Sequence, residues 1–235
     1  MRYEPIPVSL FENNRKRFIA KMSSNSLAIL TSNDVMPNNA DDVMGFAQNT
    51  DLFYLSGIEQ DETIMLLYPD AFKEENREIL FVKEVNEQTL IWEGDFLTKD
   101  QVTAISGIKN VKWTHEFEKT MQLFAFEADT IYLGHNEHIK RITAEMNTRQ
   151  DRMIQWCKEK YPLHQYDRIA KITRDLRPIK SAEEVALIEE AIAISVKGFK
   201  GLLKAVKPNV KEYELEAELA YEYIKNGGLR HAFKP

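Results

Sequence analysis

Residues 173–187 read TRDLRPIKSAEEVAL, and this stretch divides the chain. Pro178 fixes its own φ and pushes Arg177 out of the α region, so a helix arriving from residue 169 is predicted to end there. A new helix is predicted to start with Ser181 as N-cap and Glu184 as its reciprocal partner, a capping box. Val185, Ile188, Ile192, Val196, Phe199 and Leu203 then recur at spacings that form one apolar helix face. Lys207, Pro208 and Asn209 stop that helix. The residues before this stretch read as a complete α/β domain. Those after it read as the opening helices of a second domain, because two helices and half a strand do not make a core. The expected organisation is residues 1–172 as an N-terminal domain, 173–180 as a linker and 181–235 as an incomplete start of the second domain.

Composition bounds the function. The 235 residues are 43% hydrophobic, 10% aromatic and 29% charged, which suits a packed core under a charged surface. A formal charge of -6 leaves no basic excess to displace counterions from phosphates, so no nucleic-acid partner is expected. The first residues, MRYEPIPVSLFENN, lack the apolar core of a secretory signal, and no run approaches the roughly 18 apolar residues of a membrane span. Cys157 is the only cysteine, so no internal disulfide is possible. Both features favour a cytoplasmic protein with no membrane partner.

Leu10, Phe11, Arg15, Phe18, Ile19 and Met22 mark residues 9–22 as an amphipathic helix with a basic outer face. Residues 26–30 (SLAIL) read as a short buried strand. TSNDVMPNNADDVMGFAQ comes next, a long loop rich in Asn, Asp and Pro, and long ordered loops are often functional. Residues 51–56, 63–68 and 78–82 are strand candidates separated by turn residues. Further along, 98–105 reads as a helix, 111–113 as a strand, 115–126 as a helix and 130–133 as a strand. Residues 139–160 read as a long, interrupted helix, 164–166 as a last short strand, and 211–225 as a helix with Tyr213, Leu215, Leu219, Tyr223 and Ile224 inward. Asn226, Gly227 and Gly228 signal a left-handed cap. Strands interleaved with helices imply an α/β fold with a mixed sheet.

The candidate chemistry is sparse. His135 and His138, in the run HNEH, have a spacing that suits a metal pair, but no further ligand is near, and a polar loop is the plainer reading. His231 is a lone histidine on an extended end. The doublet Asp41 and Asp42 suits a cation or an amine, or a solvated turn. Trp92 stands beside the turn Glu93-Gly94-Asp95, as core edge, subunit contact or pocket wall. No phosphate loop, nucleophile elbow or HExxH helix is present, so the residues assemble no complete catalytic constellation.

Several stretches together resemble the aminopeptidase P branch of the pita-bread metallopeptidases. Ala40-Asp41 followed by residues 46–57, FAQNTDLFYLSG, resembles that family's RQNxDFxYLTG segment, with Ala47 where an arginine is common. LIWEG at 90–94 resembles its xIWxG turn, RPIKSAEE at 177–184 its R-x-x-K-S-x-E-E joint, and GGLRH at 227–231 the approach to its first catalytic strand. The resemblance implies a mixed-sheet N-terminal domain, a linker, and a pita-bread α+β domain in which two manganese ions drive cleavage of peptides with proline second. Those ligands would lie beyond residue 235, so no catalytic or metal-ligating residue is assigned in this segment, which should be inactive alone. By motif position, Asp41 matches an acidic residue near the substrate and Trp92 an aromatic that closes a neighbouring protomer's pocket. A homo-oligomer, dimer or tetramer, is implied. Two alternatives remain: a ligand-less pita-bread relative acting as a protein- or peptide-binding module, and a prolidase or creatinase-like enzyme.

Overall fold

The computed structural model describes residues 5–84, 96–137, 146–228 and 231. The chain divides into two compact units, one of Pro7–Pro178 and one that includes the residues from Ile179 onward.

The larger unit is built on a six-stranded sheet. In chain order its elements are α1 (Val8–Ile19), β1 (Ser26–Thr31), α2 (Thr50–Ser56), β2 (Ile64–Leu67), β3 (Glu78–Val82), α3 (Lys99–Ser106), β4 (Asn110–Trp113), α4 (Phe117–Ala125), β5 (Thr130–Leu133), α5 (Arg149–Lys160), β6 (Gln165–Arg168) and α6 (Ile169–Leu176). The strand order is β4-β3-β2-β1-β5-β6. Only β2 runs against its neighbours; the β3–β4, β1–β5 and β5–β6 pairs are parallel. All six residues of β1 are buried, as a strand with layers on both faces requires. Ala28 and Leu30 join Phe18, Leu52, Leu55, Val102 and Ile172 under α1, α2, α3 and α6. Leu27 and Ile29 join Phe81, Phe117, Met121, Phe124 and Cys157 under α4 and α5. Burial pushes the Cys157 thiol up to about 12, so it is an inert core residue.

The residues 51–56, expected as a strand, are helical. Asn49 Oδ1 accepts from the backbone N–H groups of Asp51 and Leu52, at 3.0 and 3.1 Å, and Gly57 closes the helix at φ 70°. A Cβ on Gly57 would meet the Phe11 ring at 2.4 Å, so the left-handed turn and the packing both need glycine. Residues 115–126 begin as a 3-10 turn before α4, and the part of 139–160 that is described is helical only from Arg149. Residues 138–145 lie outside the described residues.

Arg15, which falls in the apolar stripe of its helix between Phe11 and Phe18, is 1% exposed. Its Nε lies 2.8 Å from Glu78 Oε2, and Nη1 donates to the Leu55 carbonyl at 2.8 Å. One guanidinium thus joins α1 to α2 and to β3.

The second unit contains α7 (Ala182–Ala205) and α8 (Glu212–Lys225), packed as a hairpin. Ser181 Oγ accepts from Glu184 N while the Glu184 carboxylate accepts from Ser181 N, the expected capping box. Gly198 lets α8 approach closely, since a Cβ there would lie 2.7 Å from both Leu219 and Tyr223. Gly227 N and Gly228 N donate to the Ile224 and Tyr223 carbonyls, a Schellman closure. Tyr213 and Ile224, expected inward, are 69% and 63% exposed. Residues two apart cannot share a helix face, so the stripe containing Leu215, Leu219 and Tyr223 excludes Tyr213. Ile192, Phe199 and Leu203 on α7 are also more than half exposed, so this apolar face has no cover among the described residues.

Replacing Glu78 with alanine leaves a buried guanidinium whose charge is no longer balanced. The expected loss is about 2–3 kcal/mol, below the usual range for a broken buried pair because the Glu78 side chain is 31% exposed. Urea unfolding of Glu78→Ala checks this, and an unshifted midpoint would mean that the pair contributes nothing.

Candidate functional site

The carboxyl ends of β1, β5 and β6 lie together at one end of the sheet, where crevices in α/β folds commonly form. Two features occupy it, the loop of residues 32–48 and a cleft beside β5 and β6.

The loop is pinned at both ends. Asn33 Nδ2 donates to the Ala47 carbonyl at 2.8 Å, closing its base. Asp34 accepts from Arg149 N at 2.7 Å and pairs with the Arg152 guanidinium, which fixes the loop's start to the beginning of α5. The Arg149 side chain reaches Ser32 Oγ at 3.3 Å; burial lowers its pKa, while Glu62 and Asp34 oppose the shift. At the far end, Gln48 is buried and its Nε2 donates to the carbonyls of Ile58 and Gln60 at 3.1 and 2.7 Å. Between these anchors a bridge pairs Pro37 with Val43, and Ala40 sits at φ 52°.

The two aspartates at the tip differ. Asp42 holds the turn: its carboxylate accepts from Asn38 Nδ2 at 2.6 Å and its carbonyl from Asn38 N at 3.0 Å. Asp41 is exposed and makes no hydrogen bond or ion pair among the described residues, so its carboxylate is available for a ligand. Val43 and Met44 beside it are 52% and 55% exposed, so the tip presents one free carboxylate among apolar groups. Trp92 lies outside the described residues.

The QNTD run is structural here. Gln48 anchors the loop, Asn49 caps α2, and Asp51 accepts from Arg177 Nη1 at 2.8 Å. Arg177 Nη1 also donates to Thr50 Oγ1 at 3.0 Å. The segment after the loop is therefore tied to the stretch that ends the larger unit. Sequence spacing does not expose this pairing, because the partners are far apart along the chain.

The cleft beside β5 and β6 encloses about 400 Å³, with Leu133, Ile154 and Tyr166 among its walls. Several of its polar groups meet within the fold: His135 Nδ1 lies 3.1 Å from Asp151, Glu137 pairs with Arg168 at 2.7 Å, and Asp167 with Lys171 at 2.5 Å. The Lys171 hydrogen bond holds the Asp167 carboxyl below the usual range. Burial, with Cys157 and Tyr161 nearby, pushes the Tyr166 phenol up to about 12, and its hydroxyl lies 2.8 Å from the carbonyls of Cys157 and Tyr161. Of the HNEH run, His135 thus lies against Asp151 and Glu137 pairs with Arg168, and His138 lies outside the described residues. The His231 ring lies 5.0 Å from that of Tyr223, tilted at 51°. Among the described residues, no group of three or more His, Cys, Asp or Glu is placed to hold a metal ion.

The described part of the larger unit is thus a mixed-sheet α/β domain with a pinned loop at one end of its sheet and a cleft beside β5 and β6. The chain belongs to the family described as Aminopeptidase P, N-terminal domain, which matches residues 11–132. It is similar to the Xaa-Pro aminopeptidase of Escherichia coli (strain K12), at 20% identity over 230 residues, covering 92% of this chain and 49% of that protein. It is also similar to the mitochondrial intermediate cleaving peptidase 55 of Arabidopsis thaliana, at 24% identity, covering 98% and 44%. A Bacillus anthracis structure assigned as an aminopeptidase P superposes with a TM-score of 0.83 at 28% identity, covering 95% of this chain and 52% of that one. The chain spans about half the length of these relatives.

The differing roles of the two aspartates are separable by limited proteolysis. Asp42→Ala removes the carboxylate that accepts from Asn38 Nδ2, while keeping the backbone acceptor, and should speed cleavage within residues 32–48 several-fold, whereas Asp41→Ala should leave the rate unchanged. Equal rates for both variants would remove Asp42 from the turn.

Proposed function

We propose that this chain is the N-terminal part of a metal-dependent Xaa-Pro aminopeptidase, which releases the first residue of peptides with proline second. The family match over residues 11–132 carries this reading, and similarity to peptidases over nearly the whole chain supports it. The proposed organisation is an N-terminal domain of residues 1–172, a linker of 173–180, and the start of a catalytic domain from 181. The half-exposed apolar face of α7 suits a helix that the remainder of such a domain covers.

The described residues do not fit a dinuclear manganese centre, so the two ions and their ligands are assigned to the catalytic half. The metal pair there would polarise the scissile carbonyl and supply the nucleophilic hydroxide. The part proposed for this segment is binding: the Asp41 carboxylate of the loop accepts a charge-assisted hydrogen bond from the substrate's α-ammonium, and Trp92, elsewhere in the chain, walls an apolar subsite of a neighbouring protomer. Substrate pockets of this kind call for a homo-oligomer. The proposed compartment is the cytoplasm.

The protein isolated from its source should have an intact mass well above the 27.3 kDa of these residues. That protein should cleave Xaa-Pro peptides with manganese, while the 235-residue chain alone should not. Asp41→Asn should lower kcat/KM roughly ten-fold, the scale of one hydrogen bond to a charged group. Trp92→Ala should reduce turnover more than stability. A native mass equal to 27.3 kDa, together with silence on dipeptide and longer Xaa-Pro substrates, would favour a binding module instead. Activity on Xaa-Pro dipeptides alone would favour a prolidase.

A further inference from the structure

The last turn of α6, which ends the larger unit, is fastened to both α1 and α2. Arg177, its C-cap, donates from Nη1 to Asp51 Oδ1 at 2.8 Å and to Thr50 Oγ1 at 3.0 Å. The Arg177 guanidinium lies 5.9 Å from the Tyr54 ring centre, within cation–π range. Thr173 Oγ1 donates to the second Asp51 oxygen at 3.4 Å. From α1, Arg17 Nη2 donates to the Leu176 carbonyl at 3.4 Å, and Lys21 lies 3.9 Å from Asp175.

The Asp51 and Arg177 side chains are 26% and 42% exposed, so their pair adds little to global stability. Its geometry is nevertheless specific. Both carboxylate oxygens of Asp51 are engaged, and each charge sits at the helix end that favours it, Asp51 in the first turn of α2 and Arg177 at the close of α6. Such a pair acts on position.

What it positions follows from its neighbours along the chain. On the α2 side it grips the turn that ends the loop of residues 32–48: Gln48 bonds the Ile58 and Gln60 carbonyls, Asn49 caps the helix, and Thr50 and Asp51 come next. On the α6 side, Pro178, Ile179 and Lys180 alone separate Arg177 from Ser181, the N-cap of α7. That stretch reaches at most about 14 Å when extended, and proline stiffens its start. One guanidinium therefore joins the exit of the loop to the exit of the larger unit.

We propose that Arg177 is a positioning residue for peptide binding: through Asp51 it sets the Asp41 loop relative to the point where the chain leaves for the catalytic half. This rests on the peptidase reading above. Neither Arg177 nor Asp51 touches the substrate; both act through the anchored end of the loop. Coupling of this kind is demonstrated by non-additive effects of substitutions, not by proximity.

Steady-state kinetics of the full-length protein on an Xaa-Pro peptide supply the double-mutant cycle. Arg177→Ala alone should lower kcat/KM about ten-fold, the scale of a modest misplacement of a binding group. Asp41→Asn should cost roughly ten-fold in the wild-type background but less than about three-fold beside Arg177→Ala, because a misplaced carboxylate has little left to lose. Equal costs in the two backgrounds would overturn the proposal, since a purely structural Arg177 gives additive effects. Hydrogen exchange on the same proteins needs no activity. Arg177→Ala and Asp51→Asn should each raise exchange several-fold in residues 48–52 and 174–181 together, with β2 unchanged as the mark of an intact fold. A rise confined to residues 174–181 would also overturn the proposal. Wild-type protein silent on Xaa-Pro peptides would instead remove the peptidase reading, and the exchange pattern would then decide by itself whether the pair couples the two exits.

Discussion

A buried positive charge must be answered where it lies, and in this fold the charge of Arg15 is answered by two elements at once. Its guanidinium meets the Glu78 carboxylate at the start of β3 and the Leu55 carbonyl in α2. A guanidinium suits the task because its planar fork presents several donors in fixed directions. The two contacts set where α1 lies on the sheet and where α2 lies against α1. Through α2 they also fix the exit of the loop, because Asn49 caps that helix and Gln48 bonds the backbone just beyond it.

The same arrangement explains why the loop can carry a function without being held by its own tip. Its start is fixed by Asp34 on α5, and its end by Gln48 on the turn after α2. Only the turn around Asp42 is self-supporting, and this leaves Asp41 as the group that no fold contact consumes among the described residues. The cleft beside β5 and β6 differs, since its acids Asp151, Glu137 and Asp167 all lie against side chains of the fold.

Much of this is legible in the residues. The strands β1, β2, β3 and β5 are readable as short apolar runs, and Ser181 with Glu184 announces the start of α7. The helix α2 reads as a strand because DLFYLS is too short to separate a period of two from one of 3.6. A signal is nevertheless present. Ser56-Gly57-Ile58 and Ser106-Gly107-Ile108 end their helices alike: each serine hydroxyl bonds the carbonyl four residues back and accepts from the isoleucine N–H, and each glycine has positive φ. Residues 98–105 read as helical, so the matching ending at 56–58 points to a second helix. The spacing puts Arg15 in the stripe of Phe11 and Phe18, but the partner that makes its burial tolerable, Glu78, is 63 residues away and leaves no trace in local periodicity. The roles of the two aspartates are hidden for a similar reason: they depend on how Asn38 turns, not on spacing.

The strand order has a consequence for how the chain reaches this state. The central strand β1 gains its second neighbour only when β5 arrives, about a hundred residues later along the chain, and such distant pairings slow folding. On the ribosome, β1 to β3 can form a meander early, but one long edge of that meander stays unsatisfied until β5 has emerged. During that interval the apolar side chains of β1 are exposed beside an open edge, the condition under which nascent chains associate wrongly. Late synthesis of β5 and β6 thus leaves the first half of this unit with an open edge until the sheet is complete.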